Sequence, residues 1–248
     1  MDKTYLEINK QSWDEAAHRF FGRNPLPDYG PLAPSEDELN LFGDVTNLNV
    51  LEIGCGSGHS LRYMDQRNAG ELWGLDLSKK QIEAAKTVLK NCHSPVHLFE
   101  SPMEDNPGLP TNHFDIIFSI YALGWTTNLD KTFANVNQYL KKGGIFIFSW
   151  EHPIYNRVSN ENSTLLFNKS YHEEGSYYHE AWSEPAVMQQ YKISTYINTL
   201  INNGFKIERM IEDVRLTKED IQRDSNRWYS YEKAKALPTS VIIKSQKL

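Results

Sequence analysis

The chain has 248 residues, 40% of them hydrophobic and 23% charged. That balance belongs to a globular protein and excludes disorder, collagen or a coiled coil as the main class. Lys and Arg total 26 against 32 Asp and Glu, a net charge of −6, so the basic footprint of a general nucleic-acid binder is missing.

The longest apolar stretch, near 116–123, is interrupted by Ser119 and falls far short of the roughly 18 residues of a membrane span. No apolar signal core follows Met1. Cys55 lies in a glycine loop far from Cys92, which argues against a disulfide or a zinc motif. The expectation is a reduced, cytoplasmic protein with no metal, no membrane attachment and no nucleic-acid partner.

In chain order, residues 1–21 read as a helix, with Tyr5 and Ile8, and then Trp13, Ala16, Ala17 and Phe20, recurring at mixed three- and four-residue steps within each group. Pro25, Pro27, Gly30, Pro31 and Pro34 break it into a loop, and a short helix near 36–42 follows. Residues 1–44 are thus expected to form an N-terminal helical cap on a main domain at 45–248. Strands are expected at 49–53, 71–75, 96–99, 114–119, 145–150, 205–213 and 239–244. Helices alternate with them at 60–67, 78–91, 129–140 and 193–202. Ser78 is positioned to cap the second of these, with Gln81 as capping-box partner. The third closes on the turn Lys141-Lys142-Gly143-Gly144. Such alternation implies an α/β fold with a parallel sheet and right-handed crossovers. The polar, aromatic stretch 151–190 is too long for a plain connection and is expected to be a lid-like insertion after strand five.

The segment Val50-Leu51-Glu52-Ile53-Gly54-Cys55-Gly56-Ser57-Gly58-His59 runs from a strand into a helix. Glycines there permit a tight turn and close approach of backbone to a ligand at the carboxyl end of the strand. The spacing is G-x-G-x-G, and the third glycine of a dinucleotide loop is replaced by His59. Glu52 would repel a pyrophosphate but suits a ligand with ammonium and sulfonium groups, as in S-adenosylmethionine. No Gly-Lys-Ser/Thr follows, so a phosphate-binding P-loop is excluded. Asp76, 20 residues beyond Gly56, can accept hydrogen bonds from both ribose hydroxyls and disfavours a 2′-phosphate. Leu77 would lie against the adenine.

These residues resemble those of class I S-adenosylmethionine-dependent methyltransferases of the type 11, ubiquinone-biosynthesis-like small-molecule group. The resemblance covers roughly residues 45–150. It rests on the glycine segment, on Gly74-Leu75-Asp76-Leu77-Ser78, on Leu109-Pro110 with Phe114-Asp115, and on Leu140-Lys141-Lys142-Gly143-Gly144. It implies a Rossmann-like sheet of seven strands, six parallel and the last antiparallel, with helices on both faces. It also implies that Glu52 and the backbone of Gly54, Cys55, Gly56 and Gly58 hold the methionine end, and that Asp76 holds the ribose. Pro102, Met103 and Glu104 would border the adenine, and Ser119, Ile120 and Tyr121 would meet the methionine amine and the methyl. Many relatives carry an acid just after the third strand; this chain has Ser101-Pro102-Met103-Glu104, and Glu104 is the expected substitute.

Methyl transfer from a sulfonium is an in-line displacement that chiefly needs alignment and exclusion of water. Tyr121 and His152 are the candidate catalytic residues, His152 as a general base because a histidine titrates near pH 6.5. Trp13, Phe20 and Tyr155 are the candidate substrate contacts, with Trp182 in the insertion. Trp125 and Trp228 read as packing. His59 reads as a first-turn helix residue, and the spacing of His172 and His179 is not that of a metal site.

The expected function is methyl transfer from S-adenosylmethionine to a small organic acceptor. A protein or RNA acceptor is the alternative within the enzyme class. RNA is kept open by eight basic against four acidic residues in 215–248. A non-catalytic S-adenosylmethionine-binding protein is the alternative outside it.

Overall fold

The computed structural model describes residues 2–161, 164–179, 185–218, 220 and 228–248. Trp182 lies outside them. Helix α1 (Asp2–Phe20) and the one-turn α2 (Glu36–Leu39) precede the sheet. Then come β1 (Asn49–Ile53), α3 (His59–Gln66), β2 (Glu71–Asp76), α4 (Lys79–Val88), β3 (Val96–Glu100), β4 (Phe114–Ile120), α5 (Leu129–Tyr139) and β5 (Leu140–Glu151). The insertion contributes β6 (Val158–Glu161), β7 (Thr164–Phe167), β8 (Gly175–Tyr178) and β9 (Val187–Gln190). The chain finishes with α6 (Ile193–Asn202), β10 (Phe205–Ile211), α7 (Tyr231–Ala234) and β11 (Ser240–Lys247).

Seven strands form one sheet in the order β10-β11-β5-β4-β1-β2-β3. All are parallel except β11, which runs against both β5 and β10. Six strands share a direction and the last in sequence is reversed. Strand β4 lies at the centre, and its Ile116, Ile117 and Phe118 are buried, as an almost wholly apolar strand covered on both faces requires. One core layer packs Phe133, Val136, Phe146, Phe148, Tyr196 and Leu200 on one face. The other packs Val50, Leu61, Met64, Ile82, Phe118 and Ile147 on the opposite face.

Two local expectations are corrected. Residues 141–144 are not a turn closing a helix but the start of β5. Leu140 already pairs with Phe114, and the next pair is Ile145 with Ile116. The four residues between them bulge out opposite the single residue Asp115, with Gly143 at φ +78°. At α4, Ser78 accepts the Gln81 N–H as expected, but the reciprocal half of the box is absent: the Ser78 N–H donates to Asp76 at 2.9 Å.

The N-terminal segment roofs the carboxyl ends of the strands. Asn9 of α1 forms a reciprocal pair with Val187 of β9, both bonds 2.8 Å. Asp14 accepts from Ser78 Oγ at 2.6 Å and Lys80 N at 3.1 Å. α1 is therefore bonded at once to the insertion and to the β2–α4 turn. The chain beyond it crosses the glycine loop, where Gly22 N and Leu26 N donate to Ser57 and Ser60, both at 3.1 Å. It is anchored by Glu36, a buried carboxylate that accepts from Tyr29, Leu41 and Phe42. Within the insertion, buried Arg157 donates to the carbonyls of Pro153, Ser170 and Glu173. No helix among the described residues is long and apolar enough to cross a membrane.

Candidate active site

After Ile53 the chain turns sharply. Gly54, Gly56 and Gly58 have φ of +71°, +49° and +77°, conformations that cost other residues about 1–2 kcal/mol. A Cβ on Gly54 would overlap that of Ala122, and one on Gly58 would sit 3.0 Å from the Leu89 side chain. Around Gly56 the nearest atom to such a Cβ is Gln81 Oε1 at 3.9 Å. Two glycines therefore serve close packing, and the middle one borders open space.

Gly54 N and Cys55 N both donate to Leu75 O, at 2.8 and 3.0 Å, which ties the loop to the end of β2. Asp76 stands there and accepts from Gly56 N and Ser78 N at 2.9 Å each. Burial pushes its carboxyl up to about 6, against the opposing pull of those two N–H groups. Glu52 is buried beside it. Burial moves its carboxyl well above the usual range, with a smaller contribution from the charge of Asp76, while the Ser60 side chain pulls the other way. Glu52 Oε2 and Gln81 Oε1 are buried without a hydrogen-bond partner among the described residues. Buried polar atoms are seldom left so. Two orphaned oxygens and two costly carboxylates around one loop fit a ligand bringing a cation and hydroxyl donors. They do not fit a phosphate.

The adjoining residues form the other walls. Leu77, Ser101 and Pro102, with Leu6, Glu7 and Lys10 of α1, line a cavity of about 250 Å³. Glu100 also lines it and is ion-paired with Lys10. Glu104 is buried and accepts from Thr127 N at 2.8 Å and from the Thr127 hydroxyl. Met103 packs against the core near Gly54. Ser119 is fully buried and donates to Ile53 O at 2.9 Å, bracing the end of β1. Ile120 is buried beside it. Cys55 is a buried free thiol whose pKa is pushed up by burial.

Tyr121 follows β4 at φ +54°, a conformation worth 1–3 kcal/mol of strain for a non-glycine residue. A Cβ on Gly30 would overlap its ring; the glycine lets the N-terminal chain lie flat on it. The Tyr121 hydroxyl bonds to Ser240 Oγ at 2.5 Å, and burial pushes its pKa well up. Trp13 stands edge-on to Trp125 at 5.1 Å and to Phe20 at 5.0 Å, so the roof and the end of β4 share one aromatic cluster. Tyr155 is fully buried and donates to Trp228 O at 2.9 Å. Both nitrogens of His152 are engaged. Nδ1 accepts from Ile154 N at 3.1 Å, so Nε2 carries the proton and donates to Glu212 at 2.7 Å. Burial lowers its pKa, with Glu212 opposing.

Sequence reading passed over the residues beside Tyr121. Glu151, at the end of β5, is buried and accepts from the Trp228 indole N–H and, at 3.0 Å, from the Tyr229 hydroxyl. Lys233 is buried next to them. An acid at the carboxyl end of a strand was the visible signal, as for Glu52 and Asp76. Trp228, read as packing, is 49% exposed.

Comparison with known proteins agrees with this geometry. Residues 51–148 match the family described as a methyltransferase domain. An S-adenosylmethionine-dependent methyltransferase from Mesorhizobium loti superposes with a TM-score of 0.70 at 26% identity, covering 84% of this chain and 95% of that one. An uncharacterized protein of Haemophilus influenzae is 27% identical over 223 residues, 85% of each chain. A ubiquinone biosynthesis O-methyltransferase of Azoarcus is 27% identical over 143 residues, 56% of this chain and 60% of that protein. With seven strands, a glycine loop and two buried acids, the chain has the fold of class I S-adenosylmethionine-dependent methyltransferases, and residues 51–148 are its methyltransferase domain. Within that class its domain is of the type 11 group, and its methyl donor is S-adenosylmethionine.

Proposed function

We propose that the acceptor is a small organic molecule, methylated at the corner where β4 and β5 end beneath α1. The observation that carries this reading is the roof. Tyr121 lies under Gly30, α1 is hydrogen-bonded on both sides, and Glu151 and Tyr155 are buried at and just after the end of β5. An acceptor enclosed there has to be small, and enclosure keeps water away from the displacement. The Azoarcus relative, whose name marks it as acting in ubiquinone biosynthesis, supports the same reading.

S-adenosylmethionine supplies a methyl group already activated on a positively charged sulfur. Glu52 and the backbone of Gly54, Cys55, Gly56 and Gly58 would hold its amino-acid end, Asp76 its ribose, and Leu77 and Met103 its adenine side. Glu104 fixes the loop at Thr127, while Ser119 and Ile120 back the site from below. The Tyr121 phenol, held protonated by burial, orients the acceptor and does not serve as a base. His152 acts as a positioning residue at the end of β5. Trp13 and Phe20 close the site from above, and Tyr155 forms the far wall.

The test is release of S-adenosylhomocysteine with panels of small phenols, carboxylic acids and amines beside bulk tRNA and protein. Turnover with a small molecule is expected. Turnover with RNA or protein alone would overturn the reading.

A further inference from the structure

Beside the reacting corner, an ammonium group sits in an aromatic box. Lys233 lies on α7 and is only 3% exposed. Its Nζ is 3.8 Å from the centroid of the Tyr155 ring and 4.2 Å from that of Trp228. The two rings stand edge-to-face at 78° with centroids 6.2 Å apart, and Tyr229 stacks on Tyr155 at 5.5 Å. The Glu151 carboxylate stands beside the box, tied to the Trp228 indole and the Tyr229 hydroxyl; burial raises its pKa, with those two bonds and the Lys233 charge opposing.

Ring faces around a positive group, with a carboxylate beside them, form the arrangement that recognises ammonium ligands. A lysine ordinarily leaves its ammonium in water. Here burial depresses it to about 8, with Glu151 opposing, so its charge is held at a cost. The fixed walls come from the end of β5 and from buried Tyr155. The occupant and Trp228 come from the segment before β11. Trp228 is half-exposed, which gives the box a side open to solvent. Tyr229 also interacts with Tyr121, placing the box next to the proposed reacting corner.

We propose that this box is the acceptor's recognition site, that it takes a small molecule bearing an ammonium group, and that Lys233 occupies it until that molecule binds. This rests on the small-acceptor reading above and names its chemical class. The acceptor enters on the Trp228 side and meets the ring faces of Tyr155 and Trp228. Its charge replaces that of Lys233 opposite Glu151, and Lys233 moves out to water.

The probe is tetramethylammonium chloride, titrated against sodium chloride of equal ionic strength. The readout is the indole N–H resonance of Trp228, assigned by its loss in Trp228→Phe. In Lys233→Ala, with the resident ammonium gone, tetramethylammonium is expected to bind at least about tenfold more tightly than in the unaltered protein. Adding Glu151→Gln is expected to abolish that gain. Equal affinity in Lys233→Ala and the unaltered protein, or a gain that survives Glu151→Gln, would overturn the proposal. Should Lys233→Ala fail to fold, choline titrated into the unaltered protein decides: a saturable shift of the Trp228 signal supports the box, and no shift defeats it. The acceptor screen fails separately, since an RNA or protein acceptor defeats the small-molecule reading while a silent titration defeats the box alone.

Discussion

Replacing Asp76 with Asn separates the binding role of this residue from its structural one. In the free protein the carboxylate accepts two backbone N–H groups and is pushed from 3.8 to about 6 by burial. That displacement corresponds to about 3 kcal/mol of ionisation work at neutral pH, which the amide avoids. The amide turns an NH₂ toward one of the two N–H donors, and the lost bond costs about 1–3 kcal/mol. The two effects nearly cancel, so the thermal midpoint is expected to move by a few degrees at most. Cofactor affinity behaves differently. A charge-assisted hydrogen bond contributes about 1.5–3 kcal/mol; losing one to the ribose and weakening the other predicts roughly 100-fold weaker binding of S-adenosylhomocysteine. The sign with pH follows from the raised pKa. The ligand binds the ionised form, so affinity in the unaltered protein rises as pH climbs through about 6 and is lost below it. In Asp76→Asn the contribution of this group is absent and the profile flattens. Isothermal calorimetry from pH 5 to 8, with melting curves on the same samples, reads both quantities. Unchanged affinity, or a loss matched by unfolding, would refute the reasoning.

Glu52→Gln is expected to act with opposite signs on stability and binding: removing a costly buried charge raises the melting temperature at pH 7, while cofactor affinity falls at least about tenfold; parallel changes in thermal shift and calorimetry would contradict the assignment. Gly54→Ala combines a φ of +71° with overlap of Ala122 and is expected to cost about 2–4 kcal/mol in denaturant unfolding; Ala122→Gly in the same chain should recover the overlap part and leave the backbone part. Asn9→Ala removes the reciprocal pair with Val187, and hydrogen exchange should show faster opening of α1 with the central strands unchanged; equal protection would mean that this pair does not hold the roof.

The cofactor half of the site was legible because its chemistry is local. A strand, five loop residues and a helix lie consecutively, and Asp76 sits at the next strand's end, so the register of β1 against β2 brings Glu52 opposite Gly74. Glu104 is the acid the sequence offers after the third strand, and Glu100 is the one that lines the cavity. Glu100 ends β3 and Glu104 follows it, and their tertiary partners Lys10 and Thr127 separate them. The turn expected at 141–144 failed because Gly143-Gly144 has turn chemistry while Leu140 is already paired with β4. His152 was named for its position at the end of a strand; its partner Glu212 follows β10, 60 residues away. The box around Lys233 was invisible for the same reason. Strand β11 runs back along β5 with Ser240 opposite Glu151, so the segment before β11 is delivered onto the end of β5 by long-range pairing that no local pattern encodes.

The central claim is that Glu52, the glycine loop and Asp76 form an adenosyl-cofactor site. Calorimetric titration of the unaltered protein with S-adenosylmethionine and S-adenosylhomocysteine, beside NAD and NADP, tests it most directly. The account predicts one site per chain, saturated by both adenosyl ligands at roughly micromolar concentration, with no heat from either dinucleotide. Binding of NAD or NADP in their place, or no binding of either adenosyl ligand, would contradict it.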